Sequence, residues 1–210
     1  MNLGQIKAHL ESISTMDNKD FTDAVYKIGA KLIGCGIYRE SWLIGGSLVI
    51  KRETWGDEYN EYSEYAQVYP FANLCEYEFY RRAPNNLKRF VSPCMWISWN
   101  GKVAIYRYEK AVESRWRRYT PYQIRDMIDT LLRENKTLQE IVRHFTGEVI
   151  SNSNCVLTSN GKRLIIMDYA ENNIATDSHS RFAETYDAMV EWISVCVETT
   201  VNTITGKIQS

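Results

Sequence analysis

A pair of metal-binding side chains is predicted at the two ends of a hairpin near residue 160. Asn154 enters the hairpin, Asn160-Gly161 forms its turn, and Asp168 follows the apolar run 164–167. Asn-Gly is typical of tight hairpin turns, and the entrance and exit of a hairpin lie side by side. Amide and carboxylate oxygens are ligands that Mg²⁺ accepts. The sequence therefore predicts a magnesium site here, with an aspartate that merely caps a turn as the alternative.

A glycine turn and a lysine predict a phosphate site in the first half of the chain. Gly34 and Gly36 lie between two short strands, where glycine lets backbone N–H groups approach a phosphate. Lys51 follows a β-branched pair on the third strand, so its ammonium can point beneath the glycine turn between the first two strands. The alternatives are a plain strand turn for the glycines and a solvent-facing edge strand for the lysine.

A glutamate on an apolar helix face is the predicted partner of that lysine. Glu76 shares its face with Phe79 and Ala83, at spacings of three and seven residues. A carboxylate in such surroundings requires a cation, and Lys51 is the first candidate. Glu78 points elsewhere on the helix and is the second choice for the same role. For either glutamate the alternative is a solvated surface charge.

The elements that would position these residues alternate between helical and strand periodicity. The predicted order is two helices in residues 1–30, three strands within 31–51, a helix over 71–83, a hairpin over 95–108, helices from 120 and over 138–145, the hairpin around residue 160, and a closing helix over 180–197. Pro84 with Asn85-Asn86 is expected to end the helix that carries Glu76. This order predicts an α+β fold in two lobes.

Composition and charge exclude several classes of protein. The chain has 210 residues, 24% of them charged and 12% aromatic, which is typical of a globular protein. Its 25 basic and 26 acidic residues give a net charge of -1, which argues against a dedicated nucleic-acid-binding protein. We expect no membrane span, because no window of about 18 uncharged apolar residues occurs. We also expect no secretory signal and a cytoplasmic location, which agrees with cysteines that form no C-x-x-C pair.

The ordered set of motifs resembles the protein-kinase-like fold. The residues that carry this resemblance are Gly34-x-Gly36, Val49-Ile50-Lys51, Glu76, Asn154 and Asp168-Tyr169-Ala170. In size and spacing the chain is most similar to the small early protein kinases of short-tailed bacteriophages, and more distantly to aminoglycoside phosphotransferases. The resemblance implies a two-lobed minimal fold: a helical N-terminal extension over 1–30, an N-lobe with a small antiparallel sheet over 31–111, and a reduced, mostly helical C-lobe over 112–210.

The resemblance also implies an ATP- and Mg²⁺-dependent phosphotransferase of the Ser/Thr protein kinase type. Its substrate would be a host or viral protein, in the host cytoplasm if the source is viral. Lys51 would orient the ATP phosphates, and Glu76 would hold Lys51. Asn154 and Asp168 would bind Mg²⁺.

The remaining nucleotide contacts follow from the same resemblance. Gly34 and Gly36 would lie over the phosphates. The segment 107–111 would be the hinge between the lobes, and backbone groups of Tyr108 and Glu109 would hold adenine.

Three departures from the kinase pattern leave a second function open. The catalytic aspartate of a kinase lies five residues before the metal-binding asparagine, and that position is Val149. Glu148 can replace it only if the loop contains a one-residue bulge. The segment 34–39 lacks a third glycine, and D-F-G is replaced by Asp168-Tyr169-Ala170.

The alternative function is therefore a catalytically inactive kinase-like regulator or binding scaffold that acts through protein–protein contacts. Its partner-binding surfaces would be the acidic stretch 53–64 and the basic residues between 81 and 118. The other interpretation of these charges is a solvated surface without a partner.

Overall fold

Both N-terminal helices of the computed structural model begin at capping side chains. Asn2 and Gln5 form a reciprocal capping box at helix α1 (Leu3–Ile13), and Asp17 caps helix α2 (Asn18–Lys27). These oxygens accept from N–H groups that have no partner within the helix. The predicted pair of N-terminal helices is confirmed. The structure describes residues 1–36, 39–54, 71–110, 120–146, 155–169 and 186–209.

One antiparallel sheet follows, with the strand order β1-β2-β3-β5-β4. Its strands are β1 (Lys31–Cys35), β2 (Arg39–Ile44), β3 (Leu48–Glu53), β4 (Cys94–Ile97) and β5 (Val103–Arg107). Gly45 and Gly46 both have positive φ in the turn between β2 and β3, and Gly101 has positive φ between β4 and β5. Glycine adopts this conformation without a steric penalty. The predicted meander and hairpin are confirmed, and β3 lies at the centre of the sheet.

Helices cover both faces of this sheet. The apolar residues of α1 and α2 share one core with the strands, formed by Ile6, Leu10, Ile13, Phe21, Val25, Ala30, Trp42, Ile44, Ile50, Val103 and Ile105. The other face contacts the beginning of helix α3 (Ala72–Arg82). Because side chains alternate along a strand, Ile50 and Arg52 face α1 and α2, whereas Lys51 and Glu53 face α3.

Arg52 ties the central strand to the corner between α1 and α2. Its side chain is fully buried, and its guanidinium lies 5.0 Å from the centroid of the Phe21 ring. It donates hydrogen bonds of 3.1 Å to the Asn18 side chain and to the Met16 carbonyl. A buried guanidinium needs such acceptors, so Arg52 fixes where the two helices sit on the sheet.

The chain divides into two compact units: the first comprises residues 1–78, 94–108 and 170–195, and the second comprises 79–93, 109–169 and 196–210. The elements that remain are helices α4 (Asn85–Lys88), α5 (Pro121–Glu134) and α6 (Lys136–Thr146), strands β6 (Cys155–Leu157) and β7 (Leu164–Ile166), and helix α7 (Tyr186–Gln209). Thr120 and Gln123 form a capping box at α5, as the Thr-Pro pair predicts. The fold is α+β, as the sequence predicts.

Two helix boundaries differ from the prediction. Asn85 and Asn86 begin the short helix α4 instead of only ending α3. Helix α7 continues to Gln209, beyond the predicted end at Val197, because Val201 and Ile204 continue its buried stripe. Although α7 is long, no helix in the described part of the chain is long and apolar enough to cross a membrane.

Candidate functional site

Lys51 lies on the central strand and faces α3. It is paired with Ser41 on β2 and with Ala104 on β5, so strands flank it on both sides. The residue is 6% exposed. The structure therefore excludes the alternative of an edge-strand lysine that faces solvent.

The carboxylate of Glu76 binds Lys51 and a second cation, Arg39. Glu76 is fully buried; its Oε2 is 3.2 Å from Lys51 Nζ and its Oε1 is 2.8 Å from Arg39 Nη2. The predicted pairing of Lys51 with Glu76 is thus present. Glu78, the second choice, instead accepts a hydrogen bond of 3.5 Å from Ser194 Oγ.

Arg39 was not predicted as a site residue, although the strand register indicates it. In the observed register, which runs outward from the turn at 45–47, Arg39 lies opposite Glu53 and on the same sheet face as Lys51. Arg39 Nη1 also lies 3.4 Å from Asn73 Oδ1. Asn73 and Glu76 are three residues apart on α3, so one guanidinium contacts two neighbouring side chains of one helix face.

A second carboxylate, that of Glu53, fixes the N-terminus of α3. It accepts hydrogen bonds from the backbone N–H groups of Phe71, at 2.8 Å, and Asn73, at 2.6 Å. Phe71 has a positive φ of 75°, which is rare for a residue other than glycine. Glu53 therefore acts as an N-terminal cap that is supplied by the neighbouring strand rather than by the helix itself.

Asn73 and Tyr106 complete this buried group of polar side chains. Asn73 donates to the carbonyls of Lys51 and Lys102 at 3.3 and 3.0 Å, and its Oδ1 accepts from the Tyr106 hydroxyl at 3.3 Å. Lys51 Nζ lies 4.4 Å from the centroid of the Tyr106 ring. We call the whole group the Glu76 cluster; its members are Arg39, Lys51, Glu53, Asn73, Glu76 and Tyr106.

Cys94 borders the Glu76 cluster on the same sheet face. It is paired with Tyr106 across β4 and β5. Burial, together with the negative charge of Glu76, raises the pKa of the Cys94 thiol to about 12. Cys94 is therefore a neutral, unreactive neighbour of the cluster at physiological pH.

The predicted glycine turn is present, and one of its N–H groups is engaged within it. Gly36 N donates a 2.8 Å hydrogen bond to the carbonyl of Arg39, which closes the turn between β1 and β2. The pairing of β1 with β2 shifts register between Leu32 and Gly34. Ile37 and Tyr38, at the tip, lie outside the described residues. A phosphate contact by Gly34 or Gly36 stays a prediction.

The predicted hinge contacts two turns through its backbone, the turn between β2 and β3 and the turn between β6 and β7. Tyr108 N donates to the carbonyl of Ser47 at 2.9 Å, and the Lys110 carbonyl accepts from Ser159 N at 2.9 Å. Tyr108 and Glu109 are half-buried. Since the Tyr108 N–H is already engaged, adenine binding at this residue would have to use its carbonyl.

The buried strand before Asp168 is also as predicted. β6 and β7 pair antiparallel, and Leu164, Ile165 and Ile166 are buried, whereas Asp168 is half-buried. Tyr169 is buried and donates a 2.7 Å hydrogen bond to the Ser92 carbonyl.

Two rings anchor Tyr169 as well. Phe79 and Phe145 pack edge-on against it, with centroids 5.6 and 6.1 Å away. The backbone that follows β7 is therefore fixed immediately after Asp168.

The other predicted metal ligand, Asn154, and the candidate base, Glu148, lie outside the described residues, as does Val149. Among the residues that the structure describes, no group of three or more His, Cys, Asp or Glu side chains could hold a metal ion. The magnesium site therefore stays a prediction.

No protein-family model and no curated protein matches this chain. What the described residues provide is a buried cluster with two cations in the first unit and a carboxylate, Asp168, that follows a buried strand in the second.

Proposed function

We propose that this chain is an ATP- and Mg²⁺-dependent phosphotransferase that resembles a phage Ser/Thr protein kinase and modifies a host or viral protein. The observation that carries the proposal is the ion pair of Lys51 and Glu76, buried on the central strand. In protein kinases a lysine on the third strand pairs with a glutamate of the following helix and contacts the ATP phosphates. Lys51 and Glu76 occupy the corresponding elements, β3 and α3.

The energetics of burial support a functional reading of this pair. Removing a lysine and a glutamate from water costs several kcal/mol per ion, and apolar side chains of similar size are often as stable or more stable. Burial in a single rotamer does, however, orient an ammonium group. An oriented ammonium is what a phosphate-binding lysine requires, because phosphoryl transfer relies mainly on positioning and on charge stabilisation.

Asp168 and Asn154 have the donor chemistry that Mg²⁺ prefers, one carboxylate and one amide oxygen. Mg²⁺, when bound, would neutralise charge on the phosphate oxygens. Glu148 would accept the proton of the substrate hydroxyl. The packing of Tyr169 supports this assignment, since it holds the backbone beside Asp168 in one position.

A second candidate function, that of a catalytically inactive regulator, is favoured by one observation. Val149 stands at the position of the catalytic aspartate and cannot accept a proton. A general base contributes about 10² to 10⁴-fold to a rate. A chain without one would keep nucleotide binding for regulation and act through contacts with another protein.

The first test is thermal unfolding of the protein in a titration with ATP, with and without Mg²⁺, for wild type and Asp168→Ala. A ligand at about 100 times its Kd adds about 2.7 kcal/mol to the free energy of unfolding. We expect a Mg²⁺-dependent rise in Tm that D168A loses. Asp126→Ala, at an exposed position of α5, is the matched control and should behave as wild type. An unchanged Tm for the wild type in every condition would contradict both candidate functions.

A further inference from the structure

Arg39 is held more closely by helix α3 than Lys51 is. The distance from its guanidinium to Glu76 is 2.8 Å, against 3.2 Å from Lys51 Nζ. Arg39 also contacts Asn73, whereas the Lys51 ammonium lies over the Tyr106 ring. Hydrogen bonds between charged groups shorten as they strengthen, and a guanidinium can serve two acceptors at once.

The two cations share a carboxylate that is fully buried. With Lys51 as its sole partner, the buried carboxylate of Glu76 would depend on the Lys51 ammonium alone. Each N–H donor that Lys51 turned toward a phosphate would then be lost to Glu76. Such a loss is strongly unfavourable away from water. Arg39 removes this conflict, because Glu76 keeps a short charge-assisted hydrogen bond whatever Lys51 does.

We propose that Arg39 is a positioning residue of the nucleotide site: it holds Glu76, and with it the first turns of α3, so that the Lys51 ammonium can turn toward phosphate. This inference rests on the proposed function. Arg39 also occupies the position at which a G-x-G-x-x-G segment that begins at Gly34 would have its third glycine.

The test is the Kd of ATP with Mg²⁺, measured by calorimetry at a temperature where circular dichroism shows each variant to be folded. We expect Arg39→Met to raise Kd about tenfold, which corresponds to the loss of one hydrogen bond to a charged group. Arg39→Lys should restore most of the affinity. Arg52→Met is the matched control: it removes another buried arginine, on the opposite sheet face, and should lower Tm without changing Kd.

A double-mutant cycle tests whether Arg39 acts through Glu76. In a Glu76→Gln background, Arg39→Met should have no further effect on Kd. An equal effect of R39M in both backgrounds would overturn the proposed route. If R39M does not fold, Arg39→Gln takes its place with the same expected direction.

The outcomes separate this inference from the proposed function. Wild-type protein that binds no nucleotide contradicts the proposed function, and the inference falls with it. Wild-type protein that binds ATP while folded R39M binds it equally well overturns the inference alone. A merely structural Arg39 would give that second result, with a lower Tm and an unchanged Kd.

Discussion

Each carboxylate of the Glu76 cluster has a different task. Glu76 compensates two cations, Arg39 and Lys51, whereas Glu53 accepts from two backbone N–H groups at the start of α3. The helix dipole favours a negative charge at that end and therefore stabilises the Glu53 carboxylate. Glu76 thus links cations of two strands, β2 and β3, to the helix.

The thiol next to the cluster gives a prediction about pH at the residue scale. The pKa of Cys94 is about 12 in the folded protein, above the ordinary thiol value of 9.0, because the buried environment disfavours the thiolate. Because folding raises this pKa, the neutral Cys94 thiol contributes to the free energy of unfolding. The contribution is complete below pH 9 and declines as the pH rises toward 12. Between pH 8 and pH 10 we expect the decline of this Cys94 contribution to lower the free energy of unfolding by about 1.4 kcal/mol.

Urea unfolding of wild type and Cys94→Ala at these two pH values measures that contribution. The variant should lose about 1.4 kcal/mol less than the wild type over the same interval. Cys35→Ala, which removes an exposed thiol, should retain most of the wild-type loss. Equal losses in C94A and wild type would show that Cys94 is not shielded from water.

At the scale of elements, the N-terminal helices are part of the core of the sheet, and Phe21 on α2 tests this. Its ring is fully buried, packs 5.4 Å from that of Trp42, and supports the Arg52 guanidinium. Phe21→Ala should lower the free energy of unfolding by about 3 to 5 kcal/mol, measured by urea titration. Tyr26→Ala on the same helix is the control; Tyr26 is 48% exposed, and its loss should cost about 0.5 kcal/mol or less. A small effect of F21A would mean that α2 is dispensable for the sheet.

Local patterns were sufficient to predict most of these elements. Capping residues such as Thr120 and glycine turns such as 45–46 are short-range features. From them, the starts of helices and the positions of hairpins were predicted correctly. The end of α7 was missed because polar residues such as Thr200 interrupt the apolar pattern, yet Thr200 is itself buried. Whether a polar residue is buried depends on what packs against it, which a local pattern does not contain.

The candidate site was predictable only in part, for a related reason. An apolar helix face with one glutamate was enough to predict that Glu76 binds Lys51. Arg39 and Asn73 were missed because their roles depend on which strand residues face α3, and this follows only once the register of β2 and β3 is known. The predicted nucleotide contacts of Gly36 and Tyr108 depend on whether their backbone N–H groups are already engaged within the fold, as both are here, and the sequence represents backbone groups identically at every residue.

At the scale of the whole molecule, the two candidate functions differ in whether phosphate is transferred. We expect wild-type protein to transfer label from γ-labelled ATP to a protein in a host extract. Glu148→Gln should reduce this rate by about 10² to 10⁴-fold while ATP binding survives. Glu134→Gln, at the exposed end of α5, is the control and should be as active as wild type.

The opposite outcome of that assay is equally informative. ATP binding by the wild type, without transfer to any protein in the extract, would contradict the phosphotransferase and favour the inactive regulator. Partner capture would then be the appropriate next experiment, with variants in the charged stretches 57–64 and 81–118; Glu53 is excluded because it is buried at the start of α3.

The neighbouring cations of β3 also bear on how the chain finds its fold. Lys51 and Arg52 point to opposite faces of the sheet, and each meets acceptors there that the other face does not provide. A slip of β3 by one residue would exchange the two faces, as it does for every strand. Lys51 would then enter the core beneath α1 and α2, and Arg52 would meet α3 without its aromatic support from Phe21. A slip of the central strand would therefore place two charged side chains away from their acceptors at once. The resulting loss of stability selects one register during folding.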